Sequence, residues 1–224
     1  MADFPFDIVG FDLDGTLIDT SADLLGATNH ALGLARRSLL DSAAVMTMVG
    51  RGAKHMLEQA LEASGGYDAA LMARVYPALL DWYRDHVCDH SRPFPGMIEA
   101  LDALAARGVT LGIVTNKFEY LAVKLIDELG LSARFATIIG GDTMGKGNAK
   151  PSALPIEEMI RRCGGGRAAF VGDSIYDVLA AKNAGVPSIV VSFGFLSQPV
   201  EELGADAVID SFAELVPALE KLGG

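Results

Sequence analysis

The chain is short of the residues that mark secreted, thiolate-binding and nucleic-acid-binding proteins. Only two cysteines, Cys88 and Cys163, occur among its 224 residues. They are far apart and lack metal-ligand spacing, so they read as free thiols of a reducing compartment. Cations are scarce too: 18 Lys and Arg face 29 Asp and Glu, for a formal charge of −11. That balance argues against nucleic acid or an anionic membrane surface as a partner. An anionic ligand would need local cations, from a metal ion or from placed Lys and Arg. The four histidines, His30, His55, His86 and His90, share no spacing, and read as surface or packing residues. No apolar run approaches membrane-spanning length, and the opening MADFPFDIVGF has no basic stretch leading into an apolar one. The expectation is a soluble protein of the cytoplasm, monomeric or homodimeric.

What the chain has is hydrophobic residues, at 50% of the total, enough for a large core in one domain or in a core with an insert. The first run, Phe6 to Phe11, broken only by Asp7, is too short for a helix and reads as a strand. It ends in Asp12-Leu13-Asp14-Gly15-Thr16, where the glycine permits a sharp turn. A carboxylate just past a strand's C-terminal end in a parallel sheet points into the ligand crevice. A capped strand with an Asp-Gly turn has the same local pattern, so the rest of the chain decides between them.

The next seventy or so residues show helical spacing only. Helices are expected over Ser21 to Ala35, with Ser21 as the cap, and over Asp41 to Met48, Ala53 to Ala63 and Asp68 to Cys88. Trp82 falls on the apolar stripe of the last of these. No strand pattern appears between Ile18 and His90, and Ser91-Arg92-Pro93-Phe94-Pro95-Gly96 reads as a stiff linker.

Strands and helices then alternate. Strands are expected at Val109 to Val114, Ala136 to Ile139, Ala168 to Val171, Ser188 to Val191 and Ala207 to Ile209, with helices between and a last helix over Phe212 to Leu222. This rhythm implies right-handed crossovers and a parallel sheet covered on both faces. The predicted fold class is α/β: a Rossmann-like parallel sheet formed by residues 1–17 and 94–224, with a helical cap, residues 18–93, inserted after the first strand.

Polar residues recur at the predicted strand ends: Asp12 and Asp14, Thr115, Lys150 one loop beyond the third strand, and Gly172-Asp173 with Asp177. Taken in order, these resemble the four motifs of the haloacid dehalogenase superfamily of phosphatases: Asp-x-Asp-Gly-Thr, a Thr or Ser, a Lys, and Gly-Asp-x-x-x-Asp. The resemblance spans essentially the whole chain, and the insert resembles the helical cap of subfamily I. It implies hydrolysis of a small phosphate monoester through an aspartyl-phosphate, which divides one slow step into two. It makes Asp12 the nucleophile and Asp14 the acid that protonates the leaving oxygen and later activates water. It assigns Mg²⁺ to Asp12, Asp173 and the backbone carbonyl of Asp14, a hard oxygen set. It gives phosphoryl oxygens to the Thr115 hydroxyl and the Asn116 backbone N–H, charge neutralisation to Lys150, and the orientation of Lys150 or of a metal-bound water to Asp177.

Each residue has an ordinary structural alternative. Thr115, Asp173 and Asp177 could cap helices, and Lys146 or Lys117 could stand in for Lys150, because the loop Met144 to Ala149 looks long and Lys150-Pro151-Ser152-Ala153 departs from the usual Lys-Pro-x-Pro. Within the superfamily, Asp14 argues against dehalogenases and phosphonate hydrolases, although Lys54 lies roughly where a phosphonatase has its lysine. Val49-Gly50-Arg51-Gly52-Ala53, Val114-Thr115-Asn116-Lys117, Gly140-Gly141-Asp142-Thr143, Val171-Gly172-Asp173-Ser174 and Phe193-Gly194-Phe195 are most similar to phosphoglycolate phosphatases. Arg51, between two glycines, is the candidate reader of a carboxylate beyond the phosphate. The alternatives are a broad phosphatase of sugar or nucleotide phosphates, and a binding protein that keeps the fold without catalysis.

Overall fold

The structure is a computed structural model that describes residues 4–224. Its centre is strand β1, Ile8–Phe11, four residues buried on both faces. The other sheet strands are β4 (Thr110–Val114), β5 (Thr137–Ile139), β6 (Ala168–Gly172), β7 (Ser188–Val191) and β8 (Ala207–Ile209), while β2 (Ile18–Asp19) and β3 (Arg92–Pro93) lie apart. The six-stranded sheet has the order β5-β4-β1-β6-β7-β8, and every pairing in it is parallel. Connections run outward from β1 on either side, through β4 to β5 and through β6 to β8. The direction of winding therefore reverses at β1, and the crevice of an open parallel sheet forms at such a switch point, beyond the strands' C-terminal ends. Register places Phe11 opposite Ile113 and Val171, so Asp12, Thr115 and Asp173 emerge at about the same level.

Helices α5 (Met97–Ala105), α6 (Glu119–Glu128), α7 (Leu154–Arg162), α8 (Ile175–Asn183) and α9 (Leu215–Gly223) cover the sheet. Gly10 and Gly112 are paired across β1 and β4, and Met159 of α7 lies flat over both. A Cβ built on Gly10 would come within 2.5 Å of the Met159 sulfur, so glycine here is a packing requirement.

The insert consists of α1 (Ser21–Leu34), α2 (Ser42–Met46), α3 (Ala53–Ala63) and α4 (Ala69–Asp85). Leu24, Ala31, Leu57, Leu61, Val75 and Leu79 form its interior. They belong to the same hydrophobic cluster as Phe11, Leu17 and Ile113 of the sheet domain. Trp82 packs over Gly26 of α1 and stacks with His86 and His30 at centroid distances of 4.2 and 6.0 Å, so these two histidines are packing residues. Among the described residues no helix is long and apolar enough to cross a membrane.

Four local expectations are corrected. Ser21 does not cap α1; Thr20 holds the cap position without a capping bond, because its hydroxyl is turned toward Asp14. The region from Ile18 to the insert's far end is not free of strand, and the proline-rich return is not merely a linker. Ile18–Asp19 and Arg92–Pro93 pair antiparallel, so the two crossings between sheet and insert form one ribbon. Buried Asp23 ties that ribbon to α1, accepting from the backbone N–H groups of His90 and Ser91 and from the Ser91 hydroxyl at 2.7–3.1 Å. The last helix begins as a 3₁₀ turn, Phe212–Glu214, before α9.

Candidate active site

β1 delivers Asp12 to the crevice floor, where it is buried. Lys150, beyond the loop that follows β5, brings its Nζ to 2.8 Å from Asp12 Oδ1 and 2.6 Å from Asp177 Oδ1. The ammonium also donates to the Val114 carbonyl at 2.8 Å. Its contact with Asp12 lies off a hydrogen-bond line, and Asp12 Oδ1 is left without a hydrogen-bond partner. Of the candidate lysines, Lys150 therefore sits beside Asp12, Lys117 pairs with Asp14, and Lys146 lines the cavity mouth.

Asp177, in the first turn of α8, is buried and spoken for on both oxygens. Oδ1 faces Lys150, and Oδ2 accepts from the backbone N–H groups of Asp173 and Ser174 and from the Ser174 hydroxyl. The same side chain thus makes the helix-capping bonds and contacts the Lys150 ammonium. Asp173 Oδ2 accepts from the Phe195 backbone N–H at 2.7 Å, and a Cβ on Gly15 or Gly194 would collide with the Asp173 side chain. Both glycines leave the room this carboxylate occupies.

Oxygen atoms of Asp12, Asp173 and Asp177 all lie within 4.8 Å of one another. Burial pushes the Asp12 carboxyl up to about 6, against the pull of Lys150. Burial, followed by the nearby Asp177 and Asp12, holds Asp173 well above the usual carboxylate range. For Lys150, the two carboxylates outweigh its desolvation and raise its pKa. Three buried carboxylates around one ammonium leave a deficit of positive charge. Together with an Asp12 oxygen that accepts no hydrogen bond and an all-oxygen donor set, that deficit fits a hard divalent cation. The Asp14 carboxylate lies outside this cluster, which leaves only its backbone carbonyl for the ligand role that the resemblance assigns.

Above the floor is a cavity of about 600 Å³ lined by Asp12, Asp14, Thr115, Arg51, Tyr176 and Lys150, among others. Asp173 and Asp177 stand behind this surface. Thr115, at the end of β4, is buried and its hydroxyl accepts from the Lys117 N–H at 3.2 Å. The Asn116 side chain reaches across to the insert: Nδ2 donates to the Gly50 carbonyl at 2.9 Å and to the Lys150 carbonyl at 3.3 Å. Arg51 lies in the turn before α3 and places its guanidinium 5.3 Å from the Tyr176 ring centroid, with His55 at 3.4 Å. Sequence reasoning missed the Asn116 bridge, the Tyr176 platform and the Thr20–Asp14 bond. No periodicity marks such contacts; the sole signal was that Asn116 and Lys117 adjoin Thr115.

A buried carboxylate beside an ammonium, at the switch point of a doubly wound sheet and under a cation-lined cavity, makes an α/β site suited to an anionic ligand. The chain belongs to the haloacid dehalogenase-like hydrolases, whose family model matches residues 9–191. It is 45% identical over 216 residues to a phosphoglycolate phosphatase of Agrobacterium fabrum, covering 95% of this chain and 92% of that protein. A phosphoglycolate phosphatase of Caulobacter vibrioides is 43% identical, with 94% and 89% covered. The crystal structure of a predicted phosphoglycolate phosphatase from Haemophilus somnus 129PT superposes with a TM-score of 0.88 at 27% identity, covering 95% and 97%.

Proposed function

We propose that the protein hydrolyses 2-phosphoglycolate to glycolate and phosphate, with Mg²⁺ as its metal and an aspartyl-phosphate on Asp12 as the intermediate. The coarser statement, that it is a phosphoric monoester hydrolase, rests on family membership and on relatives of that activity. The observation that carries the finer one is Asp12 itself. It is a buried carboxylate in contact with a fixed ammonium, on the floor of a cavity that Asp14 and Arg51 also line.

Asp12 attacks phosphorus as the ester P–O bond breaks, and the electron pair leaves on the ester oxygen. Asp14 gives that oxygen its proton, so glycolate departs neutral at its hydroxyl. Water then attacks the acyl-phosphate, Asp14 takes its proton, and the Asp12–P bond breaks to restore the carboxylate. Lys150 keeps its proton throughout and offsets charge on Asp12 and on the transferring group. The Thr115 hydroxyl and the Asn116 N–H orient the phosphoryl oxygens. Asp12, Asp173 and the Asp14 carbonyl would hold Mg²⁺, which would lower the repulsion between carboxylate and phosphate.

Residues 18–93 act as a cap domain over a core of 1–17 and 94–224, of which residues 1–3 lie outside the described residues. Arg51 hangs from that cap beside the cavity and takes the substrate carboxylate through its fork of N–H donors. Lys54, Lys117 and Lys146 also line the cavity, an accumulation of cations that suits a substrate with two anionic ends on a protein of net charge −11. A panel of phosphate esters with Mg²⁺ tests this reading. The highest kcat/KM is expected for 2-phosphoglycolate, and equal efficiency on sugar phosphates and nucleotides would replace it with a broad phosphatase.

A further inference from the structure

Asp14 is held by one oxygen only. Lys117 brings its Nζ to 2.5 Å from Asp14 Oδ1, and the Thr20 hydroxyl donates to the same oxygen at 2.8 Å. Among the described residues no group hydrogen-bonds Oδ2, and the side chain retains 13% exposure, toward the cavity it lines. Lys117 is itself fixed. Its side chain is 4% exposed, and its ammonium lies 4.8 Å from the ring centroid of Tyr83 on α4. Its backbone is pinned at both ends, with its N–H donating to Thr115 Oγ1 at 3.2 Å and its carbonyl accepting from the Gly141 N–H at 2.8 Å. A rotatable carboxyl whose one oxygen is clamped from two sides presents the other in a single direction.

We infer that Lys117 is the positioning residue of Asp14: with Thr20 it anchors Oδ1, so that Oδ2 is the oxygen that carries the proton to the leaving group and back from water. The inference rests on the acid–base role proposed above for Asp14. Lys117 keeps its own proton and breaks no bond. The Tyr83 ring behind it belongs to the insert, so the anchor is assembled from the loop after β4, the cap position of α1 and α4 together.

The experiment compares kcat/KM of Lys117→Met and Lys117→Arg on 2-phosphoglycolate and on p-nitrophenyl phosphate. This parameter covers steps up to departure of the leaving group, and nitrophenolate leaves without needing a proton, whereas an alkoxide does not. A misplaced acid is expected to cost Lys117→Met roughly 100-fold on the alkyl ester and much less on the aryl ester. On the aryl ester kcat and KM should fall together, with a burst of nitrophenolate, since the later water step also needs Asp14. Lys117→Arg, which keeps a cation at Oδ1, should recover part of the alkyl activity. Thr20→Val, which removes the other donor, should show the same alkyl-selective loss on a smaller scale. It decides the matter if Lys117→Met does not fold by its melting curve.

Equal losses of kcat/KM on both esters, or a rise in KM at constant kcat, would overturn the inference and make Lys117 a binder of substrate charge. If the wild type hydrolyses other alkyl phosphates but not 2-phosphoglycolate, the substrate reading falls. The alkyl-to-aryl ratio, measured on the ester that is turned over, still decides the role of Lys117.

Discussion

Replacing Lys150 with Met removes the ammonium that lies beside two buried carboxylates at nearly constant side-chain volume. Lys150 and its partners have side-chain exposures of 2–7%, and the contacts are 2.8 and 2.6 Å. Deleting one partner of a buried ion pair costs about 3–5 kcal/mol, because the remaining charge has no counterpart. The Val114 carbonyl loses its donor in the same change. At about 2–4 °C per kcal/mol for a chain of this size, the melting temperature should fall by roughly 6–20 °C. The assay is thermal unfolding followed by circular dichroism, in chelator and again in Mg²⁺. The loss should be smaller in Mg²⁺, since a divalent cation held by Asp12 and Asp173 takes over part of the compensation. A fall of less than about 2 °C in chelator, corresponding to under 1 kcal/mol, would show that Lys150 does not neutralise these carboxylates.

Arg51→Ala should lower kcat/KM for 2-phosphoglycolate by about 1.5–3 kcal/mol of transition-state stabilisation, the scale of a charged hydrogen bond, and should affect an aryl phosphate much less. Equal losses on both esters would assign Arg51 to holding the cap on Tyr176. Activity should disappear in chelator and return with Mg²⁺, with Ca²⁺ a poor substitute because its larger, looser coordination lets Asp12 bind through both oxygens. Full activity in metal-free buffer contradicts this. Burial raises Asp12 from 3.8 to about 6, so between those values the folded state holds a proton that the unfolded chain has released. Its contribution to stability is complete below about 4 and lost as pH rises through about 6. The rise in melting temperature on adding Mg²⁺ should accordingly be larger at pH 8 than at pH 5, and the opposite order would refute it.

The sheet was legible because burial on both faces leaves continuous apolar runs such as Ile8–Phe11, and because residues at strand ends take their place from topology alone. The order of Asp12, Thr115, Lys150 and Asp173 along the chain therefore indicated which residues the strand ends bring together in the candidate site. What stayed hidden depends on pairs remote in sequence. The ribbon joins two residues at Ile18–Asp19 to two at Arg92–Pro93, too few in either place for alternation to show. Asp23 resembles any acidic residue in a first helical turn, and its partners lie at His90 and Ser91. Lysines in loops have no periodicity, so Lys117, Lys146 and Lys150 could be told apart only once the fold set them beside Asp14, the cavity mouth and Asp12. Thr20 reads as a helix cap until the structure turns its hydroxyl toward Asp14.

The turnover of Asp12→Asn tests the central claim most directly. Asp12 is buried beside Lys150, and the amide is nearly its equal in size, so the variant should fold and melt cooperatively. An amide cannot form an acyl-phosphate, so hydrolysis of 2-phosphoglycolate should fall to the level of a protein-free control at saturating Mg²⁺. A folded Asp12→Asn protein that turned over at a rate close to wild type would contradict covalent catalysis by this residue.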